Sequence, residues 1–274
     1  MSDDLYLRRD LERAWGGAPF AAARAQQGQI FRDKEGRRTL RFELAGRGYF
    51  LKLHQGVGWL EVLKNLLQLR LPVIGATNEY AAIRRLEKIG VDTLSIAGFG
   101  RRGWNPARQL SFLVTDELQQ VESLEDFCGR WPQQPPTYTL KKALIEKVAT
   151  LSRTLHDQGM NHRDYYLCHL LLDSREPATP ANIHGKRLYV MDLHRAQIRK
   201  KVPARWLIKD LGALYYSALD IGLTQRDVLR FIRVYSGLPL PQAMRGNLPI
   251  WQGARARADK IYRRDFGKAP ALPL

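Results

Sequence analysis

A chain of 274 residues exceeds the usual size of one hydrophobic core, so two lobes or domains are expected. Hydrophobic residues at 45% and charged residues at 26% exclude a disordered chain, and 22 glycines and 14 prolines without a period exclude a fibre or a repeat array. The 44 lysines and arginines against 27 acids give a net charge of +17, which favours polyanionic partners: nucleic acid, an anionic membrane face or a phosphorylated substrate.

The two cysteines, Cys128 and Cys168, cannot build a disulfide framework, which suits a reducing compartment. The opening Met1-Ser2-Asp3-Asp4 has acids where a secretory signal would be apolar. No stretch approaches the roughly 18 uninterrupted apolar residues of a membrane span. A soluble, cytosolic protein is the expectation.

In chain order, residues 39–54 read as a hairpin. Leu40, Phe42 and Leu44 alternate with Arg41 and Glu43; Ala45-Gly46-Arg47-Gly48 turns; Tyr49, Leu51 and Leu53 alternate on the return. A helix is predicted over Leu60–Leu69, before Pro72, and another from Asn78 to Ile89, stopped by Gly90. Residues 91–118 read as strands, with Phe112-Leu113-Val114 the most buried. A helix from Thr139 to His156 follows, with Leu144, Val148, Leu151 and Leu155 on its apolar stripe and Gly159 as its stop. Leu170–Leu172 and Leu188–Met191 read as short buried strands around a polar loop, Asp173–Gly185. From Trp206 onward the pattern is helical. Strands first and helices later predict an α+β protein of two lobes, residues 1–117 and 118–274.

His162-Arg163-Asp164 lies just past the long helix, and Asp192 closes the later strand. Two aspartates at the ends of a short apolar hairpin can point into one cleft. One would accept a proton and the other would hold a divalent cation, as phosphoryl transfer requires. The alternative is that Asp164 caps a turn and Asp192 ends a strand. Lys52 lies within the Tyr49–His54 strand. Glu79 heads the stripe formed by Ala82, Ile83, Leu86 and Ile89, so it belongs to the buried face and needs a cation. A Lys52–Glu79 ion pair answers that need; a solvated helix-start acid is the competing reading. Cys168, between Leu167 and His169, reads as core, and Trp131 and Trp206 as packing residues. Tyr165 and Tyr166 either line an acceptor site or pack.

Lysine on a strand, glutamate on the following helix, His-Arg-Asp after a long helix, then an aspartate after a strand: in this order the chain resembles the protein-kinase-like fold over about residues 30–220. Thr39–His54, Gly90–Thr93, Asn161–Leu170, Asp192–Arg199 and Gly222–Arg230 are similar to the lipopolysaccharide inner-core heptose(I) kinase family. The resemblance implies ATP- and Mg²⁺-dependent phosphorylation of the first heptose of the core, at the cytoplasmic side of the inner membrane of Gram-negative bacteria. By position it makes Asp164 the catalytic base and Asp192 the Mg²⁺ ligand. Lys52 becomes the phosphate contact, oriented by Glu79, and Asp210 the brace of the catalytic loop.

The chain also departs from the kinase pattern. Asp33–Arg38 stands where kinases carry a glycine-rich loop, and Leu193-His194 replaces the Phe-Gly that follows the metal aspartate. His169 occupies the place of a metal-binding asparagine and is a candidate metal residue, although imidazole is a poor ligand for a hard cation. No Ala-Pro-Glu segment follows, which favours a glycolipid acceptor over regulated protein phosphorylation. Arg195, Arg199, Lys200, Lys201 and Arg205 would border an acceptor rich in carboxylates and phosphates. Arg255, Arg257, Lys260, Arg263 and Arg264 would face an anionic inner-membrane surface. Rival functions are a kinase for the neighbouring acidic sugar, Kdo, and a catalytically silent kinase-like module that holds an acidic protein partner. Nucleic acid fits least, for want of an aromatic-rich sheet motif or a zinc pattern.

Overall fold

The computed structural model describes residues 4–34, 36–56, 75–103, 105 and 109–270. They form an α+β fold of two compact units. One comprises Met1–Glu87, Thr93–Gln119 and Leu193–Arg195; the other comprises Lys88–Asp92, Gln120–Asp192 and Ala196–Leu274. The helix predicted over Leu60–Leu69 lies outside the described residues.

The first unit is built on six antiparallel strands in the order β1-β5-β6-β4-β3-β2. They are β1 (Asp4–Leu7), β2 (Gln29–Lys34), β3 (Arg37–Leu44), β4 (Arg47–His54), β5 (Ile96–Arg102) and β6 (Leu110–Asp116). Alternation decides the faces. Leu40, Phe42, Tyr49, Leu51 and Leu53 are buried on one side. The β3–β4 turn is tighter than the four residues the sequence suggests. Ala45 and Gly46 both take positive φ, 50° and 74°, so two residues close the hairpin and Arg47 and Gly48 already belong to β4.

Two seven-residue helices cover that buried face, α1 (Arg9–Trp15) and α2 (Pro19–Ala25). They bring Leu11, Trp15, Phe20 and Ala23 into the core, where Trp15 and Phe20 meet Phe112 edge-on at 5.5 and 5.3 Å. Lys52 points to the opposite face. The helix α3 (Thr77–Lys88) packs there through Ala82, Ile83 and Leu86, with Tyr80 stacked 4.0 Å from Phe99.

The second unit is mainly helical. It holds α4 (Leu124–Gly129), α5 (Tyr138–Asp157), α6 (Ala204–Ser217), α7 (Gln225–Ser236) and α8 (Leu240–Phe266). It also contains the strands β7 (Val121–Ser123), β8 (Met160–Asn161), β9 (Leu170–Asp173), β10 (Leu188–Val190) and β11 (Gln197–Ile198). They pair as β10-β9-β7 and β11-β8. The Thr137 hydroxyl caps α5, and a Thr224–Asp227 capping box starts α7. Gly159 ends α5 with φ 75°, and a Cβ there would sit 1.8 Å from the Arg199 carbonyl oxygen, so only glycine fits. The buried face of α5 includes Ser152, not Leu151, which is only partly buried. Ser152 bonds the Val148 carbonyl and the hydroxyl of buried Tyr165, a polar demand that an apolar period cannot anticipate. No described helix is long and apolar enough to cross a membrane.

Candidate active site

In the first unit, Lys52 Nζ lies 2.7 Å from Glu79 Oε1. The Glu79 side chain is 3% exposed and that of Lys52 27%, so the carboxylate is buried and the ammonium reaches outward. Alternation along β4 sets the direction of Lys52. Glu79 sits in the first turn of α3, where the helix end also favours a negative charge. Within the segment Asp33–Arg38, Asp33 pairs with Arg38 and Lys34 with Arg37, the last pairs of β2 with β3, and Gly36 takes φ 71°. The Leu193–Arg195 turn places His194, whose carbonyl accepts from Asn78 Nδ2 at 2.8 Å, and Arg195 in this unit.

In the second unit, the His162–Asp164 loop leaves β8 with its backbone clamped. Asp210 on α6 is fully buried; its Oδ2 accepts from His162 N at 2.6 Å and its Oδ1 from Arg163 N at 2.8 Å. Arg163 takes φ 76°, which turns the chain so that Asp164 follows. His162 donates from Nε2 to the Met191 carbonyl at 2.9 Å and accepts the Asp164 N–H on Nδ1 at 3.3 Å. That pattern needs the neutral ring, and burial lowers its pKa in agreement.

His169 follows in the short turn Leu167–His169. Its ring stacks 5.8 Å from His162; Nδ1 donates to the Asp164 carbonyl at 2.7 Å, and Nε2 lies 3.6 Å from Asp192 Oδ2. Burial pulls the His169 pKa down, but the Cys168 side chain, the Asp164 carbonyl and Asp192 outweigh it and raise the pKa to about 9. Asp192 takes φ 58°, just past β10, whose extension Met191 N bonds the His169 carbonyl at 3.0 Å. One imidazole thus bonds the Asp164 backbone and lies beside the Asp192 carboxylate.

Among the described residues no group of three or more His, Cys, Asp or Glu side chains gathers as a metal cage. Mg²⁺ does not need one: a carboxylate or two, waters and substrate phosphates suffice. The partly exposed carboxylate of Asp192 suits that role. His169 suits it less: its Nδ1 donates to the Asp164 carbonyl, and imidazole is a poor ligand for a hard cation.

The basic segment is not uniform. Arg199 is held, donating to Asn161 Oδ1 at 2.6 Å and Gln197 Oε1 at 2.7 Å, whereas Lys200 and Lys201 are exposed. Near the C-terminus Arg263 and Arg264 pair with Asp259 and Asp265, so that cluster is partly neutralised. Trp206 is more than a packing residue, since several cations surround its ring.

Sequence reasoning missed two features. His156 Nδ1 lies 2.8 Å from the Tyr235 hydroxyl and its Nε2 3.5 Å from Asp210, so a buried polar chain backs the loop clamp. An apolar cavity of about 340 Å³ opens among α5, α6, α7 and α8, lined by residues such as Leu144, Leu214, Phe231 and Trp251. Neither leaves a local motif, because the partners lie far apart in the chain.

The family model described as lipopolysaccharide kinase (Kdo/WaaP) matches residues 21–235. The chain belongs to that family. It is 49% identical over 261 residues to the lipopolysaccharide core heptose(I) kinase WaaP of Pseudomonas aeruginosa, covering 95% of this chain and 96% of the relative. It is 45% identical over 264 residues to the enzyme of the same name from Escherichia coli, covering 96% and 98%. A solved structure titled WaaP in complex with acyl carrier protein superposes with a TM-score of 0.83 at 45% identity, covering 94% of this chain and 99% of that one. The Kdo/WaaP family assignment makes this protein a phosphotransferase of kinase-like fold.

Proposed function

We propose that the protein transfers the γ-phosphoryl group of ATP to the first heptose of the lipopolysaccharide inner core. The relatives named for that reaction match nearly the whole chain, which supports the acceptor. The observation that carries the chemistry is His169, bonded to the Asp164 backbone on one side and next to the Asp192 carboxylate on the other. Asp164 accepts the proton of the sugar hydroxyl as its oxygen attacks the γ-phosphorus and the bond to ADP breaks. Lys52, fixed by Glu79, binds the nucleotide phosphates. Asp192 would hold Mg²⁺, which neutralises phosphate charge when bound. His169 orients Asp192 rather than ligating the metal. Arg195, Lys200 and Lys201 attract the anionic acceptor, and the net charge of +17 supports peripheral binding at the inner membrane.

Acyl carrier protein is the proposed protein partner. A solved relative is titled as its complex, and the apolar cavity of about 340 Å³ in the helical unit would take an acyl chain.

The test is ATP turnover on purified core acceptors, one ending in heptose and one carrying only Kdo, read by the acceptor's mass. Gain of one phosphate on the heptose acceptor alone is expected. Phosphate on the Kdo-only acceptor would assign the neighbouring acidic sugar instead.

A further inference from the structure

Trp206 stands in the first turn of α6, whose N-cap, Pro203, supplies no side-chain cap. Its ring is the centre of a ring of cations. Arg163 lies 5.0 Å from its centroid, Lys209 5.2 Å, Arg205 5.3 Å and Arg199 5.7 Å. Cation–π attraction holds each of them, but like charges so close also repel one another. Arg199 spends its hydrogen bonds on two neutral amides, which leaves its charge uncancelled by them. Asn161, fully buried beneath Arg199, still has an unpartnered Nδ2. The uncapped start of α6 adds a partial positive charge. Such an arrangement is organised in advance for an anion.

We infer that Trp206 and the cations around it form an anion subsite, which holds a carboxylate or phosphate of the acceptor glycan while Asp164 meets the hydroxyl. The inference rests on the proposed acceptor reaction and deepens it. Arg163 is the residue before Asp164, so the subsite adjoins the base and selects acceptors that carry an acidic group near the reacting sugar. Guanidinium forks suit both anions.

Two variants test this. Arg205→Gln alters an exposed side chain and leaves the fold intact; Trp206→Leu removes the platform. Acceptor KM is measured on the native acceptor, on one with its acid sugars reduced to alcohols, and on one with its phosphates removed. Each variant should raise KM for the native acceptor, by about 10-fold for Trp206→Leu, the scale of one lost charge-assisted contact. The KM for ATP should stay within about twofold. The variant effect should vanish on the acceptor that lacks the recognised anion, which tells carboxylate from phosphate. Equal KM increases on all three acceptors, or none on any, would overturn the subsite.

The indole signal of Trp206, assigned by its loss in Trp206→Leu, is followed by ¹⁵N NMR during titration with the native acceptor without ATP. A shift without turnover would sink the heptose reaction and keep the subsite. Turnover with a silent Trp206 would keep the reaction and sink the subsite.

Discussion

The carboxylate of Asp210 holds the backbone of His162 at 2.6 Å from 48 residues further along the chain. Its second oxygen takes the next N–H, of Arg163. The two bonds fix the loop on which Asp164 is proposed to act, so clamp and base should fail differently. Asp164→Ala is expected to lower kcat by about 10²–10⁴-fold, the scale of a lost general base, with ATP affinity and unfolding midpoint near wild type. Asp210→Asn should lower both kcat and stability, the latter by about 1–3 kcal/mol, because a buried amide is a weaker acceptor and adds unmatched donors. Urea unfolding beside single-turnover kinetics separates them. Wild-type turnover in Asp164→Ala would remove that residue from the mechanism.

The Lys52–Glu79 pair should behave as one unit. Lys52→Met leaves a carboxylate that is almost fully buried without this cation, and Glu79→Ala removes the carboxylate that orients the ammonium. Each single change should therefore cost most of what the double change costs, with an interaction energy of about 1–3 kcal/mol on kcat/KM. Simple additivity of the two losses would count against the pair.

Asp192→Asn should weaken Mg²⁺-dependent nucleotide binding, since an amide is a poorer ligand than a carboxylate for a hard cation. His169→Asn should do much less to metal affinity, because His169 is read as the partner of Asp192 and not as a ligand. Titration with MgATP by calorimetry decides. A larger loss in His169→Asn than in Asp192→Asn would reverse the two roles.

His54, at the end of β4, supplies a pH dependence. Desolvation, with Arg37, Lys52, His194 and Arg32 nearby, lowers its pKa from 6.5 to about 4. Above about pH 6.5 the ring is neutral in both the folded and the unfolded chain. As pH falls from about 6.5 to about 4, the unfolded chain binds a proton that the folded chain refuses, so stability drops through that window and levels off below it. His54→Gln should flatten this part of the curve of urea midpoint against pH. An unchanged slope would place the acid sensitivity elsewhere.

The sequence made some of this legible for local reasons. Alternation exposed β3 and β4 and pointed Lys52 away from Leu51 and Leu53. The helical period put Glu79 on the buried face of α3, and the same period with Gly159 delimited α5. The helices α1 and α2 escaped because seven residues give barely two turns of pattern, and their Leu11, Trp15 and Phe20 acquire meaning only against Phe42 and Phe112. The chain from Tyr235 through His156 to Asp210 escaped because it joins three helices. His169 was visible as a departure from the kinase pattern, but its role depends on a backbone carbonyl, which no side-chain motif records.

Arg199 illustrates the same limit, and it changes what the basic segment should do when mutated. As a run of charge, Arg199, Lys200 and Lys201 read as one patch. Arg199 instead secures Asn161 in the strand that leads into His162, while the two lysines face solvent. Lys200→Ser with Lys201→Ser should therefore raise the acceptor KM by a few fold and leave the KM for ATP alone. Their attraction is screened over a Debye length of about 8 Å at physiological salt, so the salt dependence of the acceptor KM should flatten as well. Adding Arg199→Ser should bring a second loss besides its share of the acceptor KM. The buried Asn161 would have both ends of its amide unmatched, the β8–β11 pairing would loosen, and stability should fall by about 1–3 kcal/mol together with kcat. A polynucleotide binder would instead lose affinity and salt slope with each cation removed, whichever of the three it was. If the triple variant merely extends the KM effect of the double, with kcat and unfolding midpoint unchanged, Arg199 serves the acceptor alone and does not secure Asn161.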